Sequence, residues 1–289
     1  MSRLLNELIE LLALERIEEN LFRGQSQDLG WGLVFGGQVL GQALSAAVQT
    51  VPADRNVHSL HAYFLRAGDA HRPIVYEVDR IRDGKSFATR RVVAIQNGQP
   101  IFNMSASFQI EEPGFEHADP MPQEKGPEGL ASDLDLGQRA AERLPEGMRS
   151  RALAPRPIEL RPVDPIDPFV PEKRSPDQAV WVRAAGPLPD EPALHRYLLA
   201  YCSDFNFIST ALRPHGATWA DPHMQVASVD HVMWFHRPFR MDDWLLHVMH
   251  SPSAAGARAL VRGSIFSSDG RLVASTAQEG LVRHRDKAR

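Results

Sequence analysis

Apolar and polar side chains alternate with a period of two along several stretches of this chain. Ile74, Tyr76 and Val78 alternate with Glu77 and Asp79, the pattern of a strand with one buried face. Strands are predicted over 58–66, 73–81, 86–96 and 100–110, behind two helices. The first helix, over 4–15, carries leucines at 4, 5, 8, 11 and 12 interrupted by Glu7, Glu10 and Glu15, so it reads as amphipathic. The second starts near Gly36-Gly37 and runs through Val39, Leu40, Ala43, Leu44, Ala47 and Val48, ending before Pro52. After Gly186 the order returns, with a helix over 193–212 and strands near 226–236, 244–251, 257–267 and 271–283. A further strand around 180–183 opens this second half.

The return is a repeat. Gly84, Arg90 and Asn97-Gly98 stand 172 positions (256 − 84) before Gly256, Arg262 and Asp269-Gly270. Asn-Gly and Asp-Gly between apolar runs predict matching hairpins whose turn residues need positive φ. The copies differ in chemistry. At the same spacing Ala106 corresponds to Gln278, and one step out of phase Val57 corresponds to Ser228. Polar groups replace apolar ones in the second copy, so the second half is the expected seat of function.

Between the copies the composition shifts: twelve of the 22 prolines fall between Pro113 and Pro176. Proline removes ladder donors, so this stretch is expected to stay out of a continuous sheet, with one short helix over 134–144. The expected organisation is an N-terminal module over 1–110, a Pro-rich connector over 111–176 and a C-terminal module over 177–289. Each module reads as a helix followed by antiparallel strands. Leu198, Leu199, Tyr201, Phe205, Phe207 and Ile208 cover the whole circumference of the second module's helix, which therefore needs a sheet curled round it.

The 289 residues are 43% hydrophobic, enough for a substantial core. A net charge of −4 without a run of Lys or Arg argues against nucleic acid or an anionic membrane surface as the partner. The lone cysteine, Cys202, cannot form an internal disulfide and sits in an apolar run, which suits a buried structural thiol. The N-terminal leucine pattern is too broken by glutamates for a signal peptide or a membrane span, and Asp286-Lys287-Ala288-Arg289 is not a peroxisomal address. A cytoplasmic location is expected.

Five segments carry a resemblance to a known family: Leu21-Phe22-Arg23-Gly24-Gln25, Val34-Phe35-Gly36-Gly37-Gln38, the run from His58 to Arg66, Trp234-Phe235-His236-Arg237-Pro238-Phe239, and the run from Ala274 to Gly280. With these the chain resembles the type II acyl-CoA thioesterases, TesB-like proteins with a double-hotdog fold. The resemblance spans about residues 4 to 285 apart from the connector. It implies an α+β fold in which two helix-wrapping antiparallel sheets join edge to edge in one chain. It also implies hydrolysis of a fatty acyl-CoA to free fatty acid and coenzyme A, without metal or cofactor beyond the substrate's own coenzyme A, by a homodimer or homotetramer. In the family an aspartate, a hydroxyl residue and a glutamine hold the reacting water. The matching positions are Asp204, Ser228 and Gln278, with serine here where threonine is frequent.

The residues support such chemistry on their own terms. Asp204 lies among aromatics at 201, 205 and 207, where burial raises a carboxyl toward general-base range. Ser228 and Gln278 can each donate and accept, and so could fix a water against it. The same carboxylate could instead attack the carbonyl directly and form an anhydride. Gly36-Gly37 offers either amides for the developing oxyanion or close helix packing. His58 is a secondary candidate base, and with His61 it stands where the second copy has Val229 and Val232. His231 beside Asp230 keeps open the runner-up enzyme, a hotdog enoyl-CoA hydratase or dehydratase using a His/Asp pair. A non-catalytic acyl-CoA-binding module is the third reading. Arg66, Arg90, Arg91, Arg237 and Arg262 are candidates for the coenzyme A phosphates, against a plain role as strand arginines. No nucleophile elbow, phosphate loop, paired-cysteine metal signature or dinucleotide fingerprint occurs.

Overall fold

A computed structural model of the chain describes residues 2–144, 149–150 and 152–285; the C-terminal Asp286-Lys287-Ala288-Arg289 lies outside the described residues. Helix α1 (Arg3–Leu12) starts at Ser2, whose side chain accepts from the Leu5 N–H, and buries Leu5, Leu8 and Leu12 on one face. Two short strands, β1 (Glu15–Glu18) and β2 (Leu21–Gly24), then precede helix α2 (Gly36–Val48). Four residues are too few to display a period, and neither strand is expected from the sequence.

The predicted strands of the first half form as β3 (Arg55–Phe64), β4 (Ile74–Asp83), β5 (Phe87–Gln96) and β6 (Gln99–Ile110). In the connector, α3 (Asp133–Ala140) is closed by a capping box between Ser132 and Asp135. The connector also contributes a strand, β7 (Ile158–Pro162), which corrects the expectation that its prolines exclude it from the sheet. β7 is an edge strand pairing only with β8 (Asp177–Ala184), and Pro162 stands at its last position, where a missing donor does little harm.

The second half continues with α4 (Pro192–Ser203), α5 (Phe207–Leu212), β9 (Met224–Ser228), β10 (Asp230–Phe235), β11 (Leu245–Ala255), β12 (Arg258–Ser267) and β13 (Leu272–His284). The single helix expected over 193–212 is therefore two. Asn206 takes a left-handed conformation, φ 68°, which asparagine tolerates better than most residues, and the chain turns there. The strand expected over 226–236 is likewise divided at Val229. The hairpin turns differ too: Asn97 and Gly98 both take positive φ (50° and 71°), whereas at Asp269-Gly270 only Gly270 does (88°). Beside that second turn the register between β12 and β13 shifts at Phe266, so it is a longer, bulged connection.

Among the described residues the strands form one sheet in the order β1-β2-β4-β5-β6-β3-β10-β13-β12-β11-β8-β7, with β9 paired to β13. The order reads the same from either end once β1, β2, β4, β5, β6 and β3 are matched to β7, β8, β11, β12, β13 and β10. The junction keeps this symmetry in its register. His61 faces its own repeat counterpart Val232, and the flanking pairs Tyr63↔Asp230 and Ser59↔Trp234 exchange under the 171-residue spacing. Two half-wraps thus meet edge to edge about a pseudo-twofold axis, the double-hotdog arrangement.

The first half-wrap encloses α2, which packs on β3 to β6, and the second packs on α5 through β9 and β11 to β13, while α4 runs antiparallel to α2: Gly37 of α2 abuts the Tyr201 carbonyl, and Gly41, one turn on, abuts that of Tyr197. Leu40, Ala43, Leu44 and Ala47 of α2 share one core with Phe102 and Met104 of the first half and with Leu198, Leu199 and Met249 of the second. Each leucine buried there stabilises the fold by roughly 1.5–3 kcal/mol relative to exposure. The continuous core ties α2 and α4 together where their ends touch.

Candidate active site

The C-terminus of α4 meets the N-terminus of α2, and Asp204 stands at the meeting point. It is the C-cap of α4 (φ −78°, ψ −9°), not a mid-helix residue as the sequence pattern suggests. The helix ends there because Asn206 turns the chain, and this end effect aims the carboxylate at α2. The approach explains both glycines. A Cβ on Gly36 would lie 2.6 Å from Asp204 Oδ2, and one on Gly37 would collide with the Tyr201 carbonyl. The Gly37 N–H, a free donor of the helix start, faces the carboxylate and helps to hold its pKa down.

Two further groups converge on the same carboxylate. Ser228 Oγ donates to Asp204 Oδ1 at 3.1 Å, and Gln278 Nε2 donates to Oδ1 at 3.0 Å and to Ser228 Oγ at 2.7 Å. The structure therefore brings all three sequence-predicted residues within hydrogen-bond distance. Ser228 ends β9, directly across from Gly280, and Gln278 lies two residues earlier on β13, so the two side chains share one face of the sheet. Burial pushes the Asp204 carboxyl up from 3.8 to about 6, against the opposing pull of Gln278, Ser228 and the Gly37 N–H. The group keeps a partly accessible surface. A carboxylate has about four acceptor positions, so three donors leave one for a water.

His231 belongs to this cluster, which the sequence pattern does not anticipate. Its Nδ1 lies 2.8 Å from Gln278 Oε1 and its Nε2 2.9 Å from Ser203 Oγ. Burial lowers its pKa from 6.5 to about 4, opposed by the Gln278 hydrogen bond, so the ring is neutral near pH 7. The comparison that singles out Gln278 also contains this signal, because Leu60 occupies the corresponding position of the first copy. The His/Asp pair of the runner-up reading does not form. Asp230 points to the other face of its strand and accepts from the Glu279 N–H at 2.6 Å.

His58 sits apart from the trio's partners: its Nε2 is 2.8 Å from Ser107 Oγ and its ring packs edge-on to Phe87. Arg90 leaves the list of phosphate candidates, since it is fully buried and bound to Asp83, Thr50 and three backbone carbonyls. Cys202 is buried and its thiol is pushed up to about 12, as a structural cysteine requires. Among the described residues no group of three or more His, Cys, Asp and Glu side chains is placed to hold a metal ion.

The two glycines separate function from folding. Gly36→Ala is expected to lower kcat at least about tenfold with a smaller loss of Tm than Gly37→Ala, because the new methyl meets side chains only, the end of Asp204 and the edge of the Phe64 ring. Gly37→Ala is expected to destabilise by about 1–3 kcal/mol, because its methyl meets backbone that cannot move away. Thermal melts and turnover of the two variants check both expectations.

Comparison with known proteins agrees over the whole chain. The family pattern described as acyl-CoA thioesterase matches residues 151–281, and that described as acyl-CoA thioesterase N-terminal domain matches residues 26–109. Acyl-CoA thioesterase 2 of Haemophilus influenzae is 47% identical over 283 residues, covering 98% of this chain and 99% of the relative. The crystal structure of the acyl-CoA thioesterase II TesB2 from Mycobacterium marinum superposes with a TM-score of 0.79 at 44% identity, over 96% of this chain and 98% of that one. A hot dog fold protein from Alicyclobacillus acidocaldarius, 19% identical, superposes with a TM-score of 0.77 over 96% of this chain and 98% of that one, a likeness of fold alone. Shared fold, near-complete coverage and high identity lead to one conclusion: this chain belongs to the acyl-CoA thioesterase family.

Proposed function

We propose that the chain hydrolyses fatty acyl-CoA thioesters with a water that Asp204 deprotonates and that Ser228 and Gln278 help to aim. The observation carrying this reading is the convergence of Ser228, Gln278 and the Gly37 N–H on one half-buried carboxylate, which burial pushes up to about 6, with one acceptor position left over. The water oxygen attacks the thioester carbonyl while its proton passes to Asp204. The C–S bond then breaks, the proton goes to the departing thiolate, and free fatty acid and coenzyme A leave. Only the substrate's own coenzyme A takes part; no other cofactor is invoked.

Direct attack by Asp204 through the same free acceptor position is the alternative route. A single turnover of palmitoyl-CoA in water labelled with heavy oxygen separates direct water attack from an anhydride that opens at the aspartyl carbonyl. The label is expected in the released acid and absent from Asp204. Label in the Asp204 side chain would establish the anhydride route.

We further propose a cytoplasmic homodimer or homotetramer. In support, no helix among the described residues is long and apolar enough to cross a membrane, and Tyr63 and Trp234 are exposed on the strands where the two halves join. Light scattering measures the assembly.

A further inference from the structure

We infer that His231 is a positioning residue: its Nδ1–H holds the Gln278 side chain in the one amide orientation that presents donors to Asp204 and Ser228. The inference rests on the reading of Asp204 as the base, and it follows from counting protons. Ionised Asp204 can only accept, so the Gln278 group 3.0 Å from Oδ1 must be its NH2. The second proton of that NH2 goes to Ser228 Oγ at 2.7 Å, which frees the serine's own proton for Asp204 at 3.1 Å. Gln278 Oε1 is then turned toward His231 Nδ1 at 2.8 Å and needs a donor, so Nδ1 carries the proton of the neutral ring. His231 Nε2 is left as an acceptor, and it meets the Ser203 hydroxyl 2.9 Å away, whose single proton it shares with the Ala200 carbonyl, also at 2.9 Å. One polarity thus runs from His231 through Gln278 to Asp204.

An amide flip at Gln278 would aim its oxygen at the carboxylate and its NH2 at the imidazole N–H, opposing charge at both ends. His231 supplies half of that opposition. The ring cannot turn freely to relieve it, because it is fully buried and the Phe207 ring stands edge-on at 5.5 Å. Nothing in this chain of contacts requires His231 to meet substrate, so its removal is expected to act on kcat and leave KM in place.

The test is a double-mutant cycle read by thiol release from palmitoyl-CoA. His231→Leu is expected to lower kcat by about 10- to 100-fold, the usual range for residues that orient a reacting group, with KM changed less than about twofold. His231→Asn, whose carboxamide N–H occupies the Nδ1 position, is expected to restore most of the rate. In a Gln278→Ala background, His231→Leu is expected to add less than about a twofold loss. Equal losses for the Leu and Asn variants, or the same loss in both backgrounds, would overturn the inference. Should His231→Leu fail to fold, Ser203→Ala replaces it: a loss of about two- to fivefold in the wild-type background only is expected, and equal losses in both overturn the proposal. Asp204→Asn keeps the two readings apart. Full turnover by that variant removes the base itself, whereas an inactive Asp204→Asn together with an additive cycle removes only the role of His231.

Discussion

Asp204→Asn is expected to lower kcat by about 10^3-fold or more while making the folded protein more stable at pH 8. The first effect is the loss of a general base together with the charge that three donors are arranged to meet. The second follows from burial. The folded-state pKa is raised, from 3.8 to about 6, so the ionised carboxylate opposes folding. The sign is that of a raised acid: the chain is most stable where the group is protonated and loses stability as pH rises from about 4 through about 6. At ~1.4 kcal/mol per pH unit the full effect is on the order of 3 kcal/mol. Asparagine removes the charge but still accepts one or two of the three hydrogen bonds, so a net gain of about 1 kcal/mol is expected. Thermal melts at about pH 8 and about pH 4 check it, with the gain present at the first and absent at the second.

Gln278→Glu is expected to be nearly as damaging to turnover, for a different reason. The substitution keeps shape and removes the NH2 that donates to both Asp204 and Ser228. It also places a second carboxylate about 3 Å from the first, and like charges that close do not both ionise. The pair shares a proton, the base is withheld, and a loss of about 10^2- to 10^3-fold in kcat is expected at pH 7. The residual activity is expected to rise toward higher pH, with its acid limb displaced above that of the wild type. A Gln278→Glu enzyme whose limb stays near pH 6 would show that residue 278 does not face the Asp204 charge.

Much of this arrangement is legible in the bare sequence, for identifiable reasons. The repeat is visible because Gly84 and Gly256, with the Asn97-Gly98 and Asp269-Gly270 turns, mark hairpin ends at fixed spacing. The functional half is visible because Ser228 and Gln278 replace Val57 and Ala106. His231 against Leu60 carries the same signal and belongs with them. What escapes is geometry created by chain breaks. The apolar run through 193–212 looks like one helix, and only the left-handed Asn206 makes Asp204 a helix end instead of a helix interior. The double service of Gly36-Gly37, admitting the carboxylate and supplying an N–H to it, depends on an antiparallel helix contact between residues some 160 positions apart, which no local pattern encodes. β7 escapes because prolines dominate its surroundings, yet an edge strand tolerates them.

The most direct measurement is the pH dependence of kcat/KM for palmitoyl-CoA, by thiol release from about pH 4 to about pH 9, on the wild type and on Asp204→Asn. Wild-type activity is expected to fall about tenfold per unit below a single limb near pH 6, and the residual activity of Asp204→Asn to show no such limb. A wild-type rate that stays flat through pH 6, or an Asp204→Asn variant that retains the same limb, would contradict a catalytic base at Asp204.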